Sequence, residues 1–146
     1  MYRLLGIAVC FTWLTVFTGC SESSVSSPVT GVVKTTEGVP CEGALVVFHP
    51  QEEERLSDKK PVATCDSDGR FRLTTDQPDD GAEPGKYGVT IVWIQANPSG
   101  GGLLLSSESS GGSDRLKSRY GRPEAPEFFV DVTEGGPNEF TFEVQE

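Results

Sequence analysis

Lys86-Tyr87-Gly88-Val89-Thr90-Ile91-Val92-Trp93-Ile94 is the stretch on which the fold turns. It is rich in β-branched and aromatic residues and carries no helix-period stripe, so it reads as the longest strand of the chain. Tyr87, Val89, Ile91 and Trp93 recur at period two and form the expected inward set. Upstream, Arg70-Phe71-Arg72-Leu73-Thr74-Thr75 alternates with Phe71 and Leu73 inward. It follows Asp66-Ser67-Asp68-Gly69, a hairpin turn in which Asp-Gly supplies the positive φ. Ala44-Leu45-Val46-Val47-Phe48 is apolar on both faces, as a central sandwich strand should be, and Pro50 is expected to stop it. Val62 to Thr64 reads as a short strand, after the charged loop Gln51 to Lys60. Val29 to Thr35 is a strand before the turn Glu37-Gly38-Val39-Pro40. Downstream, Asp76 to Gly85 is an acidic, turn-rich loop. Phe128 to Val132 and Glu139 to Val144 are strands joined through Gly135-Gly136-Pro137-Asn138. No amphipathic helix of useful length is legible. Seven short strands separated by turn signals predict an all-β chain folded as an antiparallel sandwich.

Composition agrees with that class. The chain has 146 residues, 17 Gly, 10 Pro and a single His, with a formal net charge of −10. The length suits one domain. The acidic balance excludes a nucleic-acid backbone as partner, which needs a basic patch, and electrostatic adhesion to anionic lipid.

Residues 1 to 19 read as an address rather than as part of the fold. Arg3 precedes an apolar run from Leu4 to Phe17, too short for comfortable spanning, where about 20 residues are needed, but the length of a secretory core. Phe17-Thr18-Gly19-Cys20 resembles the lipobox of a bacterial lipoprotein signal, with Phe17 where Leu is usual. The resemblance implies that Cys20 becomes the first mature residue and carries the acyl chains of a membrane anchor; the alternative is an ordinary secretory peptide that ends near a cysteine. Ser21 in place of Asp after the cysteine points to the outer membrane. Residues 20 to 28 are then a lipidated Ser-rich tether, and 29 to 146 the folded body. Loss of Arg3 with the leader takes the formal charge from −10 to −11.

Of the four cysteines, Cys10 lies in the leader and Cys20 is the anchor. Cys41 precedes the run Ala44 to Phe48, and Cys65 ends the run Val62 to Thr64. If those runs are antiparallel, both cysteines sit at one end of the sheet, and in an oxidising compartment a Cys41–Cys65 disulfide is expected; two separate buried thiols are the alternative. Two thiols and one distant His make an incomplete zinc site, so no metal is expected. Residues 97 to 113, a Gly/Ser-rich stretch around Leu103-Leu104-Leu105, read as a long flexible loop.

Three blocks resemble the carboxypeptidase regulatory-like domains. Gly38-Val39-Pro40-Cys41-Glu42-Gly43-Ala44-Leu45-Val46 is similar to their G-x-P-x-x-G-A-x-V pattern, Thr64-Cys65-Asp66-Ser67-Asp68-Gly69-Arg70-Phe71 to T-x-D-x-D-G-x-F, and Pro84-Gly85-Lys86-Tyr87-Gly88-Val89 to P-G-x-Y-x-V. The resemblance implies a transthyretin-like (prealbumin-like), seven-stranded Greek-key sandwich. Asp114-Arg115-Leu116-Lys117-Ser118-Arg119-Tyr120 is similar to a D-R-L-x-x-R-Y stretch of small bacterial lipoproteins with this domain. Cys41 and Cys65 depart from the pattern together, which favours their pairing.

Little in the chain promises chemistry. His49 has no second imidazole, and no Gly-x-Ser-x-Gly elbow occurs. Enzymes on related sandwiches need several histidines, or two Tyr and two His on iron. Asp66 and Asp68 place Arg70 where a calcium loop would continue, so a plain turn is expected; Asp76, Asp79, Asp80 and Glu83 read as solvated surface. Arg115, Lys117, Arg119 and Arg122 are the one basic island, and Trp93 belongs with the core. The expectation is therefore a lipid-anchored, cofactor-free, non-enzymatic module of the cell envelope, structural or protein-binding, with an envelope glycan or peptide as the alternative ligand. An exposed aromatic pair beside the basic island would favour a glycan; an apolar patch or an unpaired edge strand would favour a protein.

Overall fold

A computed structural model describes residues 25–94 and 113–146. The leader expected over 1–19, the expected anchor position Cys20, most of the tether expected over 20–28 and nearly all of the loop expected over 97–113 lie outside the described residues. Seven strands form: β1 (Val29–Thr35), β2 (Leu45–Pro50), β3 (Val62–Thr64), β4 (Arg70–Arg72), β5 (Gly85–Val92), β6 (Phe128–Val132) and β7 (Asn138–Val144). The one helical turn described is a three-residue 3₁₀ segment, Glu53–Arg55, inside the charged loop. β2 ends at Pro50, its last residue, as expected.

The strands make two sheets, one in the order β4-β1-β7 and one in the order β3-β2-β5-β6. The antiparallel expectation holds for every pair but one. β1 and β7 run parallel, from Val29 opposite Asn138 to Thr35 opposite Val144. Period-two patterning assigns faces but not strand direction, so this pairing left no mark in the sequence. Ser27, within the Ser-rich stretch 20–28, is buried and exchanges backbone hydrogen bonds with Ala82 at 2.8 and 3.0 Å.

The core lies between the sheets. Phe71, Leu73, Tyr87, Val89, Ile91 and Trp93, the inward set read from alternation, are all buried. Phe48 occupies its centre, with its ring centroid 5.7 Å from Tyr87, 6.1 Å from Phe140, 6.4 Å from Phe142 and 6.5 Å from Phe71. Gly31 is required by this packing. A Cβ there would lie 2.5 Å from the Phe71 ring and 2.3 Å from the Phe140 carbonyl oxygen, so the ring fills the space a side chain would take. Gly69 turns the β3–β4 hairpin at φ 72°, as Asp-Gly predicts.

Candidate functional site

Two residues of the basic island, Arg115 and Arg119, are spent on holding the chain together. Asp114 opens the segment: one carboxylate oxygen accepts the Trp93 and Leu116 amides at 3.1 and 3.0 Å, and the other accepts the Ser118 amide at 2.8 Å. Leu116 is buried, and the Tyr120 ring stacks on Phe128 at 5.3 Å. The Arg115 guanidinium lies 3.6 Å above the Trp93 ring and pairs with Glu146. Arg119 donates to the Gln145 side chain, and the Gln145 amide donates to the Tyr120 hydroxyl. The D-R-L-x-x-R-Y residues thus clamp the last residues of the chain to the end of β5. Lys117, Arg119 and Arg122 remain exposed, but Trp93, under Arg115, and Tyr120, within the segment, are both buried. No exposed aromatic pair adjoins the island among the described residues.

The acidic loops are likewise internal caps. Asp66 accepts the Asp68 and Arg70 amides, and Asp80 accepts those of Thr75, Asp76 and Gln77. Burial pushes the Asp80 carboxyl up, but its backbone donors outweigh that and hold it below the usual carboxylate range. Among the described residues, no group of three or more His, Cys, Asp or Glu side chains is placed to hold a metal ion. The charged loop 51–60 is fastened through Arg55, whose guanidinium donates to the buried Tyr87 hydroxyl at 2.7 Å and to the Pro84 carbonyl at 2.9 Å, and pairs with Glu83. Sequence reading missed this clamp; a lone Arg inside a run of acids was its only signal.

His49 sits on the outer face of β2 and shares a 2.9 Å hydrogen bond with Thr90, a buried hydroxyl on β5. Its hydrogen-bonded partner is that hydroxyl, with no carboxylate to orient the ring as a catalytic base would need. Burial, and secondarily the nearby Lys60 charge, lower its pKa from 6.5. The unfolded chain therefore binds a proton that the folded one resists between the two values, so stability falls as pH drops below about 6.5. Chemical-denaturation midpoints of the full chain at pH 7.5 and 5.5 are expected to differ, and His49→Gln is expected to flatten that difference.

Cys41 and Cys65 are brought to the same end of the β2–β3 pair, where the Gly43 amide donates to the Cys65 carbonyl and the Cys65 amide to the Ala44 carbonyl. The expected bridge is not formed: both are free, buried thiols, the alternative the sequence left open. Cys41 lies in the turn ahead of β2 rather than on the strand, so it is not cross-strand from Cys65. Burial pushes Cys41 up to about 11 and Cys65 up to about 12, which suppresses the reactive thiolate. Iodoacetamide at pH 8 is expected to leave both unmodified in the folded chain. Unfolding without reductant should label both, as read by peptide mass spectrometry; failure to label either after unfolding would mean a bridge.

The outer face of β4-β1-β7 forms an open groove of about 870 Å3, lined by Thr30, Thr64, Arg70, Arg72, Glu139 and Thr141 among others. Its lining is mainly polar, with Phe71 and Phe140 at its floor. The outer face of the other sheet differs. Val62, Val47 and Thr90 form one cross-strand row, and Thr64, Leu45 and Val92 the next, with no charged side chain in either. Leu45, Val62 and Ile94 are 42%, 39% and 40% exposed. The apolar character of Ala44 to Phe48 on both faces was legible, but on its outward side Leu45 is open to solvent and Val47 only half-buried. No protein-family model, curated protein or solved structure matches this chain.

Proposed function

We propose that this protein is a non-enzymatic, lipid-anchored module of the cell envelope that binds other proteins through the outer face of its four-stranded sheet. The observation that carries the reading is the uncharged apolar patch of Leu45, Val47, Val62, Val92 and Ile94 on a chain of formal net charge −10. Contiguous apolar surface rimmed by polar residues marks a docking site. The residues that could have carried chemistry support the same reading, because His49, Asp66, Asp80, Asp114, Arg55 and Arg115 are engaged in contacts that hold the sandwich together. The resemblance to carboxypeptidase regulatory-like domains adds a Greek-key, transthyretin-like topology to the proposal. The Phe17-Thr18-Gly19-Cys20 box adds an acyl anchor at Cys20, with Ser21 directing it to the outer membrane. A glycan as ligand finds less support, since Trp93 and Tyr120 beside the basic segment are buried and the groove is lined mainly by polar side chains.

The test is photo-cross-linking in cells. A photoreactive side chain at Leu45 is expected to yield a protein adduct in the membrane fraction, lost on Val62→Asp while the melting temperature holds. Cys20→Ala is expected to release the chain from membranes and to lose the same adduct. No adduct at Leu45, or one insensitive to Val62→Asp, would overturn the proposal.

A further inference from the structure

The two sheets meet differently at their two sides. On one side β3 is stitched to the chain just beyond β4 by a pair of backbone hydrogen bonds between Val62 and Thr74, both 2.9 Å. On the other side β6 and β7 are sheet edges, and among the described residues no backbone hydrogen bond joins them. The free groups of β7 can be assigned from its ends. The Val144 carbonyl accepts from Thr36, on the β1 side, whereas the Gln145 amide points the other way, to the Tyr120 hydroxyl. Backbone groups alternate sides along a strand, so the amides and carbonyls of Glu139, Thr141 and Glu143 face the open edge.

The side chains along this edge state what would fit. Phe128, Val130 and Phe140 pack against the core while staying only partly buried, so apolar surface shows between the edges. Phe129 on β6 is 64% exposed, the most exposed large aromatic among the described residues. The outward positions carry acid: Glu127 and Asp131 along β6, Glu134 in the turn, Glu139 and Glu143 on β7. Lys34 pairs with Glu143 and Lys86 stands opposite Asp131, which leaves the seam net acidic. Like charges opposed across a strand pair destabilise it, so a second copy of β7 is repelled.

We infer that the β7 edge receives an extended peptide whose side chains alternate basic and apolar, adding as a fourth strand to β4-β1-β7. Its backbone pairs with Glu139, Thr141 and Glu143; its apolar side chains turn inward toward Phe128, Val130 and Phe140; its basic side chains lie outward, one of them beside Glu139. This rests on the protein-binding reading above but uses a different surface, so the two can fail separately.

The probe is a fluorescent octapeptide of alternating Lys and Val, titrated against the full-length chain in detergent at 150 mM salt and read by anisotropy. Alternating Glu and Val, and a block arrangement of four Lys then four Val, are the controls. The alternating Lys/Val peptide is expected to bind at least tenfold more tightly than either. Thr141→Pro keeps the charge and deletes one edge-facing amide, and is expected to weaken binding at least tenfold. Glu139→Lys is expected to do likewise and covers the case in which the proline unfolds the chain. Equal binding of the block peptide, or unchanged affinity in a folded Thr141→Pro or Glu139→Lys variant, would overturn the inference. Val62→Asp is expected to leave this binding intact, which separates the edge from the apolar patch.

Discussion

Phe48→Ala is expected to remove about 3–5 kcal/mol of folding stability, the range for deleting a fully buried ring. Phe48 is the side chain through which the two sheets touch most directly. It stands on β2 and meets Phe71 of β4, Phe140 and Phe142 of β7, and Tyr87 beside it on β5. Its removal opens a cavity bounded by rings from both sheets, which cannot collapse without shifting strands. Domains of this size are stable by only about 5–15 kcal/mol, so the variant would sit near the threshold of folding. Urea unfolding followed by Trp93 fluorescence would show the midpoint falling by more than 1 M, taking a slope of about 1–3 kcal/mol per molar. Phe48→Leu should recover most of the loss. A midpoint unchanged in Phe48→Ala would mean that the sheets do not meet at this ring. The consequence reaches the surface as well, because Leu45 and Val47 project from the opposite face of the same strand.

That dependence explains which parts of the molecule were legible in the sequence. Alternation fixes which side chains go inward, so Phe71, Leu73, Tyr87, Val89, Ile91 and Trp93 could be assigned before any coordinates. It does not say whether the outward side is covered. The two-faced run Ala44 to Phe48 implied burial on both faces, and the structure instead leaves Leu45 open. It also does not give direction, which is why the parallel β1–β7 pair was unexpected. The basic residues were only partly legible for a related reason. Arg115 and Arg119 read as a surface island because their partners, Glu146 and Gln145, are 31 and 26 residues away in sequence. Cys41 and Cys65 show the limit from the other side: their shared end of the sheet could be deduced from strand order, the state of their sulfurs could not.

Asp114→Ala is expected to be the most damaging change at the sandwich surface, costing about 2–4 kcal/mol, since each hydrogen bond to a charged acceptor contributes about 1.5–3 kcal/mol and neighbouring bonds are not additive. Three amides lose their acceptor at once. They belong to Trp93 at the end of β5 and to Leu116 and Ser118 in the turn. The turn itself is strained: Lys117 and Ser118 hold φ of 54° and 58°, conformations that non-glycine residues adopt at a cost of about 1–3 kcal/mol each. Asp114 is what offsets that cost. Without it the turn should relax, Arg115 should leave the Trp93 ring, and the clamp on Gln145 and Glu146 should loosen. Asp114→Asn separates geometry from charge. Its carbonyl oxygen can still accept from Trp93 and Leu116, but its amide would face the Ser118 donor, so an intermediate loss is expected. Replacing both Lys117 and Ser118 with Gly should recover part of the Asp114→Ala loss by removing the strain. Hydrogen exchange at Trp93, Leu116 and Ser118 would rise in Asp114→Ala while the β1–β7 amides stay protected. Uniform exchange across the whole chain would show instead that this clamp is part of the cooperative core, and that the sandwich cannot stand without its last residues tied down.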